Sequence, residues 1–106
     1  MKLLLQAVAE AEIAGAFDWY ARERPALGAK FLEAVIATLD RIVDRPESFP
    51  VTHRDLRRAP VRGRFPYALF FRVAGDTVTV AGCVHARRHP RSWQLREPAA
   101  ALRNGA

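Results

Sequence analysis

Two stretches in the first half of the chain repeat apolar residues with the period of an α-helix. The first predicts a helix over roughly residues 8–23, because steps of about 3.6 residues bring its apolar side chains onto one face. The charged residues Glu10, Glu12 and Arg22 fall largely outside that face. Pro25 ends the helix, since the residue before a proline avoids the helical region. The apolar face consists of Ala9, Ile13, Ala16, Phe17 and Tyr20.

The second stretch predicts a helix that begins at about Ala26 and is stopped by Pro46. Because the link to the first helix is so short, the two helices should form an antiparallel hairpin. Two amphipathic helices bury little by themselves, so the rest of the chain must supply a sheet that covers them. The apolar residues of this helix are Leu27, Phe31, Leu32, Val35, Ile36, Leu39, Ile42 and Val43.

Short β-prone segments account for most of the remaining chain. A turn at Ala74-Gly75-Asp76, where glycine permits a positive φ, joins the last two segments into a hairpin. The order β-α-α-β-β-β predicts an α+β domain, with an N-terminal strand and a helical hairpin packed on one face of a curved antiparallel sheet. The predicted strands are Lys2–Gln6, Leu56–Val61, Tyr67–Val73 and Thr77–Val84, with a loop over Glu47–His53.

Length and composition limit the organisation of the chain. Its 106 residues, half of them hydrophobic, suit one domain, predicted over residues 1–98 with a flexible tail over 99–106. The single cysteine, Cys83, excludes an internal disulfide and is expected to be buried on a central strand. No apolar run approaches the roughly 20 residues of a membrane span. Polar Gln6 interrupts the first apolar run, so no signal peptide is expected and the protein is predicted to be cytoplasmic.

The charge is unevenly distributed along the chain. Residues 1–50 contain six basic and eight acidic residues, a net charge of −2, whereas residues 51–106 contain eleven basic and three acidic residues, a net charge of +8. The basic half predicts a polyanionic or acidic partner. A solvated basic face without a partner is the alternative, and both predicted helices lie in the acidic half, which disfavours a helix-turn-helix DNA-binding module.

Familiar enzyme motifs are missing from the sequence. There is no glycine-rich phosphate loop and no Gly-x-Ser-x-Gly motif, and His53, His85 and His89 lack the spacing of a zinc site. Acidic residues are scarce in the second half, which argues against a paired-carboxylate hydrolase. We therefore expect no metal and no other cofactor.

One cationic segment remains as a candidate for binding or chemistry. Val84–Trp93 contains five potentially cationic side chains and ends in an indole. Arginine binds phosphates and carboxylates through paired hydrogen bonds, so the segment suits nucleic-acid binding, RNA cleavage or an acidic partner protein. Alternatively, His85 is a structural residue at a strand end and Trp93 an anchor of the core. Trp19 and Tyr20 are expected to be packing residues.

Three motifs that follow one another in the second half of the chain are more specific than the cationic segment alone. They are Arg-Phe-Pro-Tyr-Ala-Leu-Phe-Phe-Arg-Val over 64–73, Thr-Val-Thr-Val over 77–80 and Val-His-Ala-Arg-Arg-His-Pro-Arg-Ser-Trp over 84–93. From residue 2 to residue 96 the chain resembles the RelE/ParE superfamily of type II toxin–antitoxin toxins, also called plasmid stabilisation proteins. The resemblance implies a compact α+β toxin that a cognate antitoxin neutralises in a hetero-oligomer.

The resemblance implies one of two activities. RelE-like members are metal-independent endoribonucleases that cut mRNA on the ribosome, whereas ParE-like members poison DNA gyrase. Arg87 matches the arginine after the last strand, but Trp93 replaces a tyrosine of the nucleases and Ala68 replaces one of their catalytic arginines. The ParE-like interpretation is therefore favoured. A RelE-like endoribonuclease, or a degenerate toxin retained for antitoxin binding and operon autoregulation, is the alternative.

The same resemblance gives three sets of candidate site residues. If the chain is an endoribonuclease, the catalytic candidates are Arg87, His85, Arg57, Arg58 and Trp93. The residues expected to bind the target are Arg64, Arg87, Arg88, Trp93 and Arg96. The residues expected to bind the antitoxin are Arg58, Arg62, Arg72 and Tyr67.

Overall fold

The computed structural model describes residues 1–86, which form a five-stranded sheet with a helical hairpin on one face. This arrangement confirms the predicted α+β class. The predicted domain end at residue 98 and the tail over 99–106 lie outside the described residues. In chain order the elements are β1 (Lys2–Leu5), α1 (Ala7–Glu23), α2 (Pro25–Asp44), a 3-10 turn (Pro46–Ser48), β2 (Val51–His53), β3 (Leu56–Pro60), β4 (Tyr67–Ala74) and β5 (Thr77–His85).

The two helices follow the predicted apolar periodicity closely. Proline at the first position of α2 fits the helix start because its missing N–H would have no partner there. α1 buries Ala9, Ile13 and Ala16 against the sheet. Two expectations were wrong: Trp19 is 62% exposed and Ile36 is 57% exposed, because both lie on the solvent side of the hairpin.

The sheet differs from the prediction in two respects. Its strand order is β1-β5-β4-β3-β2, and β1 pairs parallel with β5, so the sheet is mixed rather than wholly antiparallel. The segment Glu47–His53, predicted as a loop, contains the edge strand β2, which pairs with β3. The β4–β5 hairpin forms as predicted, and Gly75 in its turn has a φ of 60°.

Side chains from both layers meet in one core. At its centre, the rings of Tyr20 and Phe31 from the helices contact Phe65 and Tyr67, with Tyr20 and Phe65 at a centroid distance of 5.0 Å. Such edge-to-face contacts add to the stabilisation from burial. Cys83 is buried on β5, an interior strand of the sheet order, as predicted. No helix in residues 1–86 is long and apolar enough to cross a membrane.

Candidate functional site

Strand register determines which face of the sheet each candidate residue occupies. Residues directly opposite each other in an antiparallel pair point to the same face. Arg57 lies opposite Phe71, a core residue, and therefore points to the helix-covered face. Its neighbour Arg58 lies opposite Phe70 and points to the other face, which we call the outer face. The two adjacent arginines thus cannot approach one phosphate together.

Arg57 has a structural contact on its own side of the sheet. Its Nη1 donates a 2.7 Å hydrogen bond to the carbonyl oxygen of Phe49 and lies 3.5 Å from the carbonyl oxygen of Glu47. The Phe49 ring in turn packs edge-on against Phe71, with ring centroids 5.8 Å apart. The guanidinium therefore joins β3 to the segment that follows α2.

His85 lies at the end of β5, at a different register position along β4 from Arg57. It is opposite Tyr67 at the end of β5, and the two rings meet edge-on with centroids 5.0 Å apart. Tyr67 and Phe71, the partners of His85 and Arg57, are four residues apart on β4, which corresponds to about 13 Å along the strand. The register thus separates these two nuclease candidates by more than the size of a phosphate group.

Ala68 is the residue that, by the resemblance, stands in place of a catalytic arginine of the RelE-like nucleases. It is 1% exposed and lies on the outer face, between Pro60 on β3 and Val84 on β5. This row of small and apolar residues supplies no cation in place of the missing arginine.

The predicted antitoxin-binding residues occupy different surroundings. Arg58 and Arg72 both lie on the outer face, and the Nε of Arg72 is 3.3 Å from a carboxylate oxygen of Asp55. Tyr67 is only 8% exposed and packs in the core, so the expectation that it binds a partner is corrected to a packing role. Within the residues that the structure describes, Arg58 and Arg72 are two basic side chains on an uncovered part of the sheet.

The connection between β3 and β4 exposes two further arginines, Arg62 and Arg64. The backbone N–H of Arg62 donates a 3.1 Å hydrogen bond to the hydroxyl of Thr38, which itself donates to the carbonyl of Ala34. This buried threonine therefore attaches the connection to α2. Arg64 directly precedes Phe65, whose ring packs against the helices.

Four of the predicted site residues cannot be located in the same way. Arg87, Arg88, Trp93 and Arg96 lie outside the described residues. The chain reaches them from the end of β5, where the Ala86 N–H donates a 2.6 Å hydrogen bond to the carbonyl of Pro66. The last described residue, Ala86, therefore lies beside the β3–β4 connection.

Near this end of the sheet, the pKa values of Cys83 and Tyr20 are raised. Burial raises the pKa of the Cys83 thiol to about 12. Burial also raises the pKa of Tyr20, with smaller contributions from Tyr67 and Glu23. Both groups therefore remain protonated at neutral pH. No cluster of three or more potential metal ligands occurs within residues 1–86.

Two side chains that organise this region were not predicted from the sequence. Thr38 was not among the residues predicted to be important on α2, and Glu12 was predicted to lie on the polar side of α1. Glu12 is in fact half-buried, and its Oε1 accepts a 2.8 Å hydrogen bond from the backbone N–H of Cys83. Its position immediately before the core residue Ile13 is the one signal in the sequence that places it at the boundary of the apolar face.

Comparison with known proteins identifies the family. Residues 3–90 match the family described as ParE toxin of type II toxin-antitoxin system, parDE. The chain belongs to the ParE toxin family. A solved structure described as a chromosomal ParDE TA system from P. aeruginosa superposes with a TM-score of 0.72 at 18% sequence identity, covering 82% of this chain and 97% of that chain. No curated protein sequence matches the chain.

The family assignment confirms the resemblance drawn from the sequence motifs. At 18% identity the structural likeness shows a shared fold, and the family match identifies the chain as a ParE-type toxin. The strand with the buried Ala68, the turn at Gly75 and the following β5 all lie inside the matched region.

Proposed function

We propose that this ParE family toxin poisons DNA gyrase and is neutralised by a cognate antitoxin. The observation that supports this choice over RNA cleavage is the distribution of the cationic side chains. Arg57 binds backbone carbonyls on the helix-covered face, Arg58 points to the outer face, and Ala68 supplies no charge. A metal-independent nuclease needs cations and an acid–base group around one scissile phosphate.

The antitoxin is expected to bind the basic outer face and the adjoining connection. Residues 51–86 contain six arginines and two aspartates, and three of these arginines, Arg58, Arg62 and Arg72, are the candidates for contact. An acidic and partly apolar segment fits such a surface, because carboxylates pair with guanidinium groups while aliphatic groups cover the strands between them. The P. aeruginosa structure is described as a ParDE system, which supports assembly with an antitoxin.

The target-binding surface is expected to lie where β5 ends. Arg64 lies in the β3–β4 connection, two residues before Pro66, whose carbonyl is bonded to Ala86. Arg87 and Arg88 follow Ala86 directly in the sequence, and Trp93 and Arg96 come within the next eight residues. These five residues, from two parts of the chain, are our candidates for the surface that contacts the gyrase–DNA complex.

Gyrase assays with a double variant test the proposal. Purified wild-type toxin is expected to accumulate gyrase-cleaved plasmid DNA, and Arg87→Ala combined with Trp93→Ala is expected to abolish that accumulation while circular dichroism remains unchanged. Arg45→Ala is the matched control, because Arg45 is highly exposed after α2 and pairs only at 3.8 Å with Asp44. If the double variant is as active as the control, the assignment of the target-binding surface is wrong.

A further inference from the structure

The connection between β3 and β4 is attached to the domain at both of its ends. At its start, the Val61 N–H donates a 2.8 Å hydrogen bond to the carbonyl of Tyr67, the first residue of β4. At its end, the ring of Phe65 packs against that of Phe31 on α2, with a centroid distance of 5.3 Å. The three residues between these attachments are exposed, and we call them the arginine tip, Arg62-Gly63-Arg64.

Thr38 on α2 makes a third attachment, within the arginine tip itself. Its hydroxyl accepts a hydrogen bond from the backbone N–H of Arg62, with the nitrogen and oxygen 3.1 Å apart. The same hydroxyl donates to the carbonyl of Ala34, one helical turn earlier, at 2.8 Å. Because its own proton is engaged in this way, the hydroxyl oxygen is oriented as an acceptor for the Arg62 N–H.

The burial of Thr38 makes this contact selective for one position of the tip. Thr38 is 0% exposed, so water does not compete for its hydroxyl. Partly buried N–H groups in proteins are nearly always hydrogen-bonded, because an unpaired one has lost its contacts with water. If the tip moved away from α2, the Arg62 N–H would need another acceptor. The hydrogen bond therefore favours one arrangement of the tip relative to the helix.

Gly63 gives the arginine tip its turn. Its φ of 83° lies in the left-handed region, which residues with a side chain disfavour. With the Arg62 N–H fixed before this turn and the Phe65 ring fixed after it, the backbone of the tip is constrained on both sides. The tip contains two guanidinium groups, and no acidic residue occurs in the sequence between Asp55 and Asp76. Such a surface fits an anionic partner.

We propose that Thr38 is a positioning residue for the arginine tip and, through it, for the contact of Arg64 with the gyrase–DNA complex. A binding loop that is already held in its bound position loses less conformational entropy when the partner binds. This inference rests on the proposed function for the partner of Arg64, whereas the attachment of the tip by Thr38 does not depend on it. The group that matters is the hydroxyl, since it accepts the Arg62 N–H.

Two substitutions separate the hydroxyl of Thr38 from the packing of its side chain. Thr38→Val replaces the hydroxyl by a methyl group of similar size, whereas Thr38→Ser keeps the hydroxyl and removes the methyl group. Thr52→Val is the matched control, since it makes the same chemical change at an exposed position of β2. Gly63→Ala disturbs the tip without entering the core, because its φ disfavours a side chain although the nearest atom, on Phe65, is 3.8 Å from a Cβ there.

The first measurement is amide hydrogen exchange at Arg62 in the full-length chain. Thr38→Val should reduce the protection of this amide by about tenfold or more, because loss of the acceptor permits local opening. Thr38→Ser and Thr52→Val should retain the wild-type protection within about threefold. Thermal melts establish that each variant is folded. Unchanged protection in Thr38→Val, or an equal loss in Thr38→Ser, would show that the hydroxyl does not hold the tip.

The second measurement is gyrase-dependent cleavage of plasmid DNA, analysed as a double-variant cycle. Arg64→Ala should reduce cleavage by about tenfold, since truncation of an interface arginine is costly. Thr38→Val should reduce it by about fivefold, because the tip must then be ordered on binding. If Thr38 acts through Arg64, the two substitutions together should reduce cleavage no further than Arg64→Ala alone. Thr38→Ser and Thr52→Val should cleave as the wild type does.

The cycle also defines the results that contradict the proposal. Additive losses in the double variant would show that Thr38 does not act through Arg64, and full cleavage by Thr38→Val with lost protection would show that the tip needs no positioning. If the wild-type toxin itself produces no gyrase cleavage, the proposed function fails, and the exchange at Arg62 still decides whether Thr38 fixes the tip. If Thr38→Val does not fold, Gly63→Ala decides the question: cleavage should fall by about fivefold, and unchanged cleavage would overturn the role of the tip.

Discussion

The guanidinium of Arg57 donates a 2.7 Å hydrogen bond to the backbone carbonyl of Phe49. It connects β3 to the segment between α2 and β2, beside the contact of the Phe49 and Phe71 rings. The adjacent Arg58 points to the opposite face of the sheet, away from this contact. Two arginines that are neighbours in the sequence therefore have different roles.

Arg57→Ala is expected to lower the free energy of unfolding by about 1–2 kcal/mol, because a partly buried carbonyl loses its charged donor. Arg58→Ala, the matched control, should change it by less than about 0.5 kcal/mol. Urea denaturation of both variants measures the difference. Equal effects of the two substitutions would contradict the assignment of the two faces.

The close contact between α1 and α2 at Gly28 leads to a second stability prediction. A Cβ at Gly28 would lie 2.9 Å from the Cβ of Ala21 and 3.0 Å from the Phe17 ring. Alanine favours helices over glycine by about 1 kcal/mol, but the overlap should outweigh this gain, so Gly28→Ala should destabilise the protein by about 1–3 kcal/mol. Gly15→Ala should stabilise it by about 0.5–1 kcal/mol, since nothing lies within 4 Å of a Cβ there. Thermal melts of both variants test the pair, and a stabilised Gly28→Ala would contradict the described helix contact.

The raised pKa of Cys83 predicts how stability depends on pH. The unfolded chain releases the thiol proton near pH 8.5, whereas the folded protein retains it up to about pH 12. The free energy of unfolding should therefore decrease as the pH rises above about 8.5, because deprotonation stabilises the unfolded state. Cys83→Ala should remove this part of the pH dependence, and chemical denaturation between pH 7 and 10 measures it. An identical alkaline slope in both proteins would be inconsistent with a buried, protonated thiol.

The basic surface predicts salt-dependent association with an acidic antitoxin segment. The association rate should fall as ionic strength rises, while the dissociation rate changes less, because the charges act mainly on the encounter. Arg58→Ala combined with Arg72→Ala should reduce this salt dependence, whereas Arg45→Ala should not. Stopped-flow measurements with the cognate antitoxin provide the rates. A rate that is independent of salt would remove the role assigned to the outer-face arginines.

The helices and strands could be predicted where proline or glycine residues mark their ends in the sequence. Pro25 and Pro46 bracket α2, and Gly75 marks the β4–β5 turn, so these boundaries were predicted almost to the residue. β2 was missed because three residues carry too little periodicity, and its pairing depends on β3. The parallel direction of β1 was missed for a related reason, since strand direction is decided by how the helices cover the sheet.

The candidate site was less predictable than the fold. The resemblance made both Arg57 and Arg58 nuclease candidates, but the register with β4 places them on opposite faces. It placed Tyr67 on a binding surface, whereas the ring packs in the core. The hydrogen bond from the Cys83 N–H to the Glu12 carboxylate joins residues 71 positions apart, so no local pattern in the sequence could predict it.

The most direct test of the central claim compares two targets with one preparation of the toxin. The purified toxin is incubated in parallel with DNA gyrase and plasmid DNA, and with ribosomes programmed with a defined mRNA. The account predicts gyrase-dependent DNA cleavage that added antitoxin suppresses, together with intact mRNA on the ribosomes. Efficient mRNA cleavage in the ribosomal A site with unaffected gyrase would contradict it.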